Sequence, residues 1–491
     1  MTHHTPLFRF DNSYARDLDG FYVPWEGDKV PEPRIVLLNA GLAHDLGLDP
    51  DALDTDEGAA IFSGAKAPEG ANTLAQAYAG HQFGGFSPQL GDGRAILLGE
   101  IIGPDGQRRD IHLKGSGRTP FSRGGDGKAV LAPVLREFLI GEAMHALHIP
   151  TTRALAATTT GEMIHREGPK PGAVLARVAA SHLRVGTFQF FAARGEHARV
   201  RQLADYAIAR HDPSLADAPD KYLAFLNAVI RRQATLLAKW MHVGFVHGVM
   251  NTDNTTISGE TIDYGPCAFI DAYDPKAVFS SIDRQGRYAY GNQPVIAQWN
   301  LARLAETLIP HLHEDQDEAI RIATEAVQGF TALYMADWVA GMRPKLGLNT
   351  AEDSDTDLAN GFYAAMEGQG VDHTQAFRAL TLATEGNNAP LRDLFDDPSA
   401  LDAWLPAWQD RLARDPAQNR AAAMNAVNPV YIPRNHLVES ALQAAERDGD
   451  MTEITTLLEV LRDPFTARDG LEDYAQPAPD GFGPYTTFCG T

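Results

Sequence analysis

The segment His247–Gly265 reads His-Gly-Val-Met-Asn-Thr-Asp-Asn-Thr-Thr-Ile-Ser-Gly-Glu-Thr-Ile-Asp-Tyr-Gly, and the rest of the chain is organised around it. This pattern predicts a loop, a short hairpin and a second loop, with Asn254 and Asp263 flanking the hairpin. A hairpin would bring this amide and this carboxylate together in one oxygen-rich pocket. Because Mg²⁺ prefers hard oxygen ligands, usually one or two carboxylates with phosphate oxygens, the segment predicts a magnesium-type site.

The order of residues in this segment resembles the catalytic loop of protein kinases and the Asp-Phe-Gly metal motif that follows it. His247 takes the first position of the kinase pattern His-Arg-Asp-Leu-x-x-x-Asn, and Asn254 takes the last. The third position, which is the catalytic Asp in kinases, is Val249 here, and valine cannot accept a proton. A carboxylate lies close by in the sequence, at Asp253. The pattern therefore predicts a kinase-like metal site with a displaced base.

Composition sets limits on the class of protein. A chain of 491 residues predicts two lobes or more, and 44% hydrophobic with 22% charged residues is typical of a globular protein with a large core. The formal net charge of −22 argues against nucleic acid and anionic membranes as partners, but not against a nucleotide, which needs only a local cluster of cations. No signal peptide is visible, and no apolar run approaches the roughly 18 residues of a membrane span. We therefore expect a cytoplasmic protein.

The first region with chemical content is 76–127. It predicts three strands joined by glycine-rich turns, at 82–86, 95–102 and 110–114. Gly91 and Gly93 lie in one turn, and Lys114 lies late in the third strand. Such a meander suits nucleotide binding, because glycines let the backbone approach phosphate oxygens and a lysine supplies positive charge. A hairpin with an exposed lysine is the alternative.

Two features follow this meander. The stretch 115–127 is glycine-rich, polar and basic, so it either offers backbone N–H groups to phosphate or forms a flexible connection. The apolar spacing in 133–147 predicts a helix that carries Glu137 and Glu142. Both are candidate partners for Lys114, since kinases orient the equivalent lysine with a glutamate. For Glu142, a position on a solvated helix face is the better prediction.

Arg177 lies inside the apolar run 173–179, which predicts a strand, and Arg184 follows it. An unpaired buried charge is costly, so an arginine in such a run must face polar partners. Two neighbouring arginines can clamp a phosphate. Structural salt bridges are the alternative interpretation of both residues.

The remaining pattern predicts the organisation of the chain. Residues 36–46 read as a helix, 151–159 as a strand, and the region from 200 onward as helical, most clearly at 223–240, 296–308, 319–335, 376–382, 438–445 and 454–461. We predict an α+β, protein-kinase-like two-lobed fold with an N-terminal extension (1–75), a β-rich N-lobe (76–185), a helical C-lobe that contains the central segment (186–465) and a tail (466–491).

Longer strings carry a more specific resemblance. They are YAGHQFGGFSPQLGDGRAILLGE, HLKGSGRTPFSRGGDGKAVL with REFL, HGVMNTDN, TIDYGP, GRYAYGNQP and WNLARLAE, which together span roughly 78–305. The N-terminal FDNSYA and the C-terminal cysteine extend the match to nearly the full length. The chain resembles the selenoprotein O family (SelO, also called YdiU), kinase-like pseudokinases that act as protein adenylyltransferases.

This resemblance implies a mechanism. Members of the family bind ATP inverted relative to kinases, so that the γ-phosphate is buried and AMP passes from the α-phosphate to Ser, Thr or Tyr hydroxyls of proteins; UMP transfer from UTP is also attributed to them. The resemblance implies that Asp253 is the proton acceptor, and that the Mg²⁺ or Mn²⁺ ligands are Asn254 and Asp263. It further implies that Lys114 contacts phosphate and pairs with Glu137. The other implied ATP contacts are Gly91, Gly93, Arg94, Asp126, Gly127, Arg177, Arg184 and Asp263 itself.

The cysteines depart from the family pattern. Many members pair a C-terminal Cys or selenocysteine with a Cys after the Asp-Tyr-Gly motif, which gives redox control. Here Cys489 keeps the terminal position, but the segment 277–283 contains no cysteine, and Ser280 or Ser281 stands where one is expected. A Cys267–Cys489 bridge and a free, buried Cys267 both remain open.

Three functions follow from these observations. The first is metal-dependent AMP transfer to protein hydroxyls. The second is ordinary phosphotransfer with Asp253 as base, which Val249 argues against. The third is a non-catalytic ATP-binding scaffold, which Asn254, Asp263 and Lys114 argue against.

Overall fold

The strands that the sequence predicts between residues 95 and 179 form the centre of one antiparallel sheet. The computed structural model describes residues 6–488, and its strands are β1 (Tyr22–Pro24), β2 (Arg34–Leu38), β3 (Leu74–Gln76), β4 (Gly80–Gln82), β5 (Gly85–Ser87), β6 (Ala95–Ile102), β7 (Arg108–Lys114), β8 (Ala129–Val130), β9 (Arg153–His165), β10 (Pro169–Ala179), β11 (Phe245–Val246) and β12 (Ala268–Phe269). The sheet order is β1-β3-β6-β7-β10-β9-β2, with β8 paired to β10. β4 and β5 form a separate hairpin, and β11 and β12 form a second two-stranded sheet.

Helices dominate the second half of the chain. The helices are α1 (Ser13–Asp17), α2 (Ala40–Asp45), α3 (Pro50–Leu53), α4 (Asp56–Phe62), α5 (Leu131–Ala146), α6 (Val185–Ala192), α7 (His197–His211), α8 (Lys221–Val243), α9 (Gln293–Leu312), α10 (Gln316–Lys345), α11 (Asp355–Met366), α12 (His373–Ala383), α13 (Ala389–Arg392), α14 (Ser399–Ala413), α15 (Arg420–Asn425), α16 (Asn435–Asp448) and α17 (Thr452–Leu461). In the part of the chain that the structure describes, no helix is long and apolar enough to span a membrane. The expectation of a mixed chain of sheet and helix is confirmed.

The register of the sheet decides which side chains share a face. Lys114 on β7 lies opposite Leu175 on β10, and His112 lies opposite Arg177. Because successive side chains of a strand point to opposite faces, Lys114, His112 and Arg177 project from the same side of the sheet. This side therefore carries two cations and an imidazole from only two strands.

Helix α5 packs against β9 and β10 and so places its own polar residues beside that face. Its apolar side, which includes Leu135, Phe138 and Leu139, shares a buried cluster with Leu175 of the sheet and with α16 and α17. Glu137 lies between these apolar residues in the sequence and is itself buried. The packing thereby fixes the position of one carboxylate next to the sheet.

Three local predictions were wrong. The predicted helix 36–46 is divided between β2 and α2, because Asn39 caps the helix by accepting a hydrogen bond from Leu42 N at 3.1 Å. The predicted strand 82–86 is instead the turn of the β4–β5 hairpin together with the end of β4 and the start of β5. The hairpin expected between Asn254 and Asp263 is absent from the described structure: Thr256 bridges to Arg184 and Thr261 to Thr151, so tertiary partners replace the local pairing.

Candidate active site

A cavity of about 350 Å³ lies between the sheet face and the segment 249–266. The sequence-predicted residues that line it are Gly91, Gly93, Arg94, Lys114, Asp126, Gly127, Arg177, Arg184, Asp253, Asn254 and Asp263. Glu137 lines an adjoining cavity and reaches the first one through Lys114. The structure thus brings together groups that are as much as 172 positions apart in the chain, from Gly91 to Asp263.

A network of ion pairs forms the floor of this cavity. Lys114 Nζ lies 2.6 Å from Glu137 Oε2 and also contacts Asp263 Oδ1. Arg177 Nη1 donates to Glu137 Oε1 at 3.0 Å and to Asp263 Oδ1 at 2.8 Å. The other candidate for Lys114, Glu142, is instead bound by both ends of the Arg153 guanidinium, at 2.7 Å each. Two cations therefore share two carboxylates at the base of the cavity.

Asp263 is held in an unusual way by its backbone and by its neighbours. Its φ of 63° is in the left-handed region, which Asp tolerates better than most residues. Burial alone would raise the pKa of the Asp263 carboxyl, but Lys114, Arg177 and Arg184 hold that pKa well below its ordinary value. Asp263 is therefore an anion throughout the neutral range.

A second set of contacts, which the sequence did not reveal, supports the arginines. Arg177 Nη2 donates to His112 Nδ1 at 3.4 Å, which leaves Nε2–H of His112 to donate to Asp92 Oδ2 at 3.1 Å. Burial lowers the pKa of His112, so the ring is neutral at neutral pH. Arg184 lies 3.8 Å from Asp92 Oδ1 and stacks over Tyr78 at 4.4 Å. The one feature of the sequence that could have drawn attention to these supporting residues is the position of Asp92 between Gly91 and Gly93.

Two glycines bring the backbone close to other segments at the cavity wall. Gly91 has a φ of 73°, and a Cβ atom there would collide with the Phe121 ring. Gly127 has a φ of 71°, and a Cβ atom there would collide with the carbonyl of Gly117. Only glycine both adopts a left-handed φ without strain and lacks a Cβ atom, so only glycine fits at these two positions. The neighbouring Asp126 carboxylate is held by the Arg166 guanidinium at 2.9 and 3.0 Å, which anchors the glycine-rich stretch to the end of β9.

Asp253 and Asn254 lie in a 3₁₀ turn (Thr252–Asn254) that also lines the cavity. Asn254 Nδ2 donates to Val249 O at 3.0 Å, so the position that lacks the kinase base contributes its backbone carbonyl instead. Asp253 Oδ2 accepts a hydrogen bond from Gln82 Nε2 at 3.1 Å, and Oδ1 has no hydrogen-bond partner within residues 6–488. Burial raises the pKa of Asp253 to about 6. A carboxylate with such a pKa is suited to accept a proton near neutral pH.

Two oxygen donors that line the cavity fit a hard divalent cation. Asp263 supplies a carboxylate, and Asn254, whose amide nitrogen is engaged, supplies an amide oxygen. The structure describes no cluster of three or more His, Cys, Asp or Glu side chains that would bind a metal alone. Mg²⁺ commonly binds through one or two protein ligands together with substrate phosphates and water. Asn254 and Asp263 therefore fit a metal that arrives with a nucleotide.

Only one of the two cysteines, Cys267, lies among the described residues. Cys267 is fully buried and has no disulfide partner within residues 6–488, and burial raises the pKa of its thiol to about 11, which makes the thiol unreactive. Cys489 lies outside the described residues. The segment before it pairs with the region that follows the Asp-Tyr-Gly motif, because Ser280 and Thr487 form a parallel β-bridge. The C-terminal segment also borders the adjoining cavity, which has a volume of about 320 Å³.

Comparison with known proteins identifies relatives along nearly the whole chain. The family model described as "Protein adenylyltransferase SelO" matches residues 7–462. The chain is 63% identical over 486 residues to "Protein nucleotidyltransferase YdiU" of Cereibacter sphaeroides, covering 99% of this chain and 100% of the relative. Proteins of the same name from Methylorubrum populi and Rhizobium meliloti are 57% and 56% identical over 498 and 488 residues, covering 99% of this chain and 100% and 99% of each relative.

Proposed function

The chain belongs to the SelO family of protein adenylyltransferases, and from that premise we propose that it transfers AMP from ATP to Ser, Thr or Tyr hydroxyls of proteins. We further propose a kinase-like arrangement of sheet and helices, an inverted nucleotide, dependence on Mg²⁺ or Mn²⁺, and use of UTP for UMP transfer. A lysine on a strand paired with a glutamate on a helix supports the kinase-like arrangement, because kinases position their phosphate-binding lysine in this way.

One observation carries the proposal. The carboxylates that line the cavity are Asp92, Asp126, Asp253 and Asp263. Among residues 6–488, Asp253 is the one of these whose carboxylate has no cationic side chain within ion-pair distance. A carboxylate held by a cation is a poor proton acceptor, because its pKa is lowered. Asp253 is therefore the group best suited to act as the base.

Two buried arginines that line the cavity support the inverted nucleotide. Arg177 is 2% exposed at its side chain, and Arg184 is 3% exposed. Such deeply buried guanidinium groups suit a buried polyphosphate, to which arginine binds bidentately. In the proposed arrangement the β- and γ-phosphates contact these arginines, and the α-phosphate faces the Asp253 carboxylate.

In the proposed reaction these side chains act on the acceptor hydroxyl and the α-phosphate. The acceptor hydroxyl oxygen bonds to the α-phosphorus, the bond from that phosphorus to the bridging oxygen breaks, and pyrophosphate leaves. Asp253 takes the hydroxyl proton, while Lys114, oriented by Glu137, holds phosphate oxygens. When bound at Asn254 and Asp263, Mg²⁺ or Mn²⁺ supplies positive charge to phosphate oxygens. The protein contributes mainly positioning and charge stabilisation.

The test uses ATP labelled at the α position in one reaction and at the γ position in another, each with purified protein, Mg²⁺ or Mn²⁺ and a cell lysate. Protein-bound α label without γ label is the expected result. Bound γ label would identify an ordinary phosphotransferase, and neither label would identify a nucleotide-binding scaffold. Asp253→Asn and Asp263→Asn are the matched variants, and both are expected to abolish most of the α-label transfer.

A further inference from the structure

The hairpin of β4 and β5 has an aromatic residue at a backbone position that disfavours it. Phe83 and Gly84 form its two-residue turn, with φ values of 52° and 83°. Two positive φ values in such a turn identify type I′, in which Asn-Gly is preferred and a bulky first residue is disfavoured. Strained residues of this kind are concentrated at functional sites. The observation therefore directs attention to what Phe83 contacts.

The inner side of the hairpin is attached to the catalytic segment. Gln82 Nε2 donates to Asp253 Oδ2 at 3.1 Å, and Phe83 N donates to Asn251 Oδ1 at 3.1 Å. His81 N donates to the Thr252 hydroxyl at 2.7 Å. Three consecutive residues of the hairpin thus hold the segment that carries the proposed base. The hairpin therefore lies directly beside the proposed base, and Gln82 lines the same cavity.

The outer side of the hairpin forms an exposed aromatic surface with one cation. Phe83 is 36% exposed and Phe86 is 42% exposed. The Arg287 guanidinium stacks over the Trp299 ring at 4.9 Å, and a Cβ atom at Gly84 would lie 3.7 Å from Arg287 Cζ. We call Phe83, Phe86, Arg287 and Trp299 the platform.

The platform is continuous and is joined to the base. The His81 ring lies 4.9 Å from the Phe86 ring and 5.2 Å from the Trp299 ring, measured between centroids. Phe83 packs against Tyr288, whose hydroxyl donates to Asn251 Oδ1 at 2.6 Å. An aromatic surface that adjoins a reactive carboxylate is typical of a recognition site, because large exposed aromatic groups mark binding surfaces.

The charge of the platform indicates what it recognises. Within residues 6–488, no carboxylate lies within ion-pair distance of the Arg287 guanidinium, and Arg287 Nε is buried without a hydrogen-bond partner. Arg303, which stacks on the other part of Trp299 at 4.8 Å, is by contrast paired with Glu306 at 2.6 Å. Arg287 thus has aromatic neighbours but no carboxylate partner among the described residues, on a chain whose formal net charge is −22. An acidic side chain of a partner is its natural complement.

We propose that the platform binds the acceptor segment of the protein substrate and selects segments with an Asp or Glu beside an apolar residue near the modified hydroxyl. The apolar residue packs on Phe83 and Phe86, and the acidic residue pairs with Arg287. The proposal rests on the proposed function, because the position of Asp253 defines where the acceptor hydroxyl must lie. Gln82 is a positioning residue in this arrangement, since it acts on the acceptor through Asp253.

The test uses two fluorescein-labelled peptides with one Tyr acceptor and one Leu, identical except that one has Glu residues and the other Lys residues beside the Tyr. Anisotropy is measured with an unreactive ATP analogue and Mg²⁺. The wild-type protein is expected to bind the Glu peptide at least tenfold more tightly, and Arg287→Glu is expected to reverse this preference. Equal binding of both peptides, or an unchanged preference in Arg287→Glu, would overturn the proposal. Arg447→Glu, at a side chain that is 79% exposed on α16, is the charge-matched control.

A second variant separates recognition from folding. Phe83→Asn creates the Asn-Gly pair that a type I′ turn favours, so the thermal midpoint is expected to be maintained or raised while Glu-peptide binding falls several-fold. Unchanged binding in this variant would contradict the role of Phe83. Transfer of α label to the same peptides is measured separately. Selective binding without label transfer would support the platform and contradict AMP transfer. Label transfer without selective binding would support AMP transfer and contradict the platform.

Discussion

Lys114 on β7 and Glu137 on α5 lie 2.6 Å apart between Nζ and Oε2, so one strand and one helix are joined directly beneath the candidate active-site cavity. Glu137 also accepts from Arg177 at 3.0 Å, and it therefore orients two of the cations that face the cavity. This shared carboxylate provides the first test of the site.

Glu137→Gln is expected to lower kcat/KM for α-label transfer by about 10- to 100-fold, a range typical of residues that orient direct ligands. The neutral amide leaves Lys114 and Arg177 with one shared carboxylate, Asp263, in place of two. Glu142→Gln is the matched control, because Glu142 lies on the same helix but pairs with Arg153. Both variants are to be compared by steady-state kinetics and by calorimetric titration with ATP. Equal losses in the two variants would contradict the assignment.

The rate of transfer is expected to rise with pH through about 6, the value to which burial raises the pKa of Asp253. The rate rises with pH because only the deprotonated carboxylate accepts the hydroxyl proton. Gln82→Leu removes a hydrogen bond that lowers this pKa, so the rise is expected to move to higher pH. Initial rates between pH 5 and 8 at saturating ATP measure the effect.

The matching control for this pH profile is Asp253→Asn, which is expected to reduce the rate by roughly 10²–10⁴-fold, as is usual when a general base is lost. Its residual rate should have no rise near pH 6. A rise at the same pH in this variant would assign the titration to another group.

Replacement of Asp263 is expected to affect stability as well as activity. Asp263→Asn leaves Lys114 and Arg177 short of a carboxylate, and loss of one partner of a buried ion pair costs about 3–5 kcal/mol. Asp263→Ala should cost more, because alanine tolerates a φ of 63° less well than asparagine. Since the pKa of Asp263 is lowered in the folded protein, the wild-type advantage should be present at neutral pH and be lost as the pH falls below the ordinary Asp range. Urea unfolding at several pH values measures these differences.

Gly127→Ala is expected to weaken ATP binding by tenfold or more, because a Cβ atom there would displace Gly117 and so move the glycine-rich stretch. Gly124→Ala is a close control: its φ is 93°, also left-handed, but nothing lies within 4 Å of the added Cβ atom. Thermal shift with increasing ATP provides the affinities. Equal weakening in both variants would attribute the effect to backbone strain alone.

Much of the site could be predicted because its residues lie in local patterns. Asn254 and Asp263 bracket a motif, Lys114 ends a strand, and Arg177 interrupts an apolar run. The partners that support them could not be predicted in the same way. His112 reaches Arg177 only through the register of β7 with β10, and Gln82 reaches Asp253 across 171 positions. Such pairings depend on tertiary packing, for which local spacing has no signal.

The same limit explains the wrong predictions in the fold. The segment from Asn254 to Asp263 has turn residues at Ser258 and Gly259 that favour a hairpin locally. Its two ends instead pair with Arg184 and Thr151, so long-range bridges outcompete the local one. The two-lobed arrangement and the domain boundaries stay predictions.

The C-terminal segment offers a way to observe the site from outside the cavity. The amide of Ser281 donates to Thr487 O at 3.0 Å, and the amide of Thr487 donates to Phe279 O at 2.8 Å. Tyr485, two residues earlier, accepts a hydrogen bond from Arg136 of α5 at 3.0 Å. Deuterium uptake at the Ser281 and Thr487 amides would therefore report, residue by residue, how often the C-terminal segment separates from residues 279–281, without any label or substitution in the cavity.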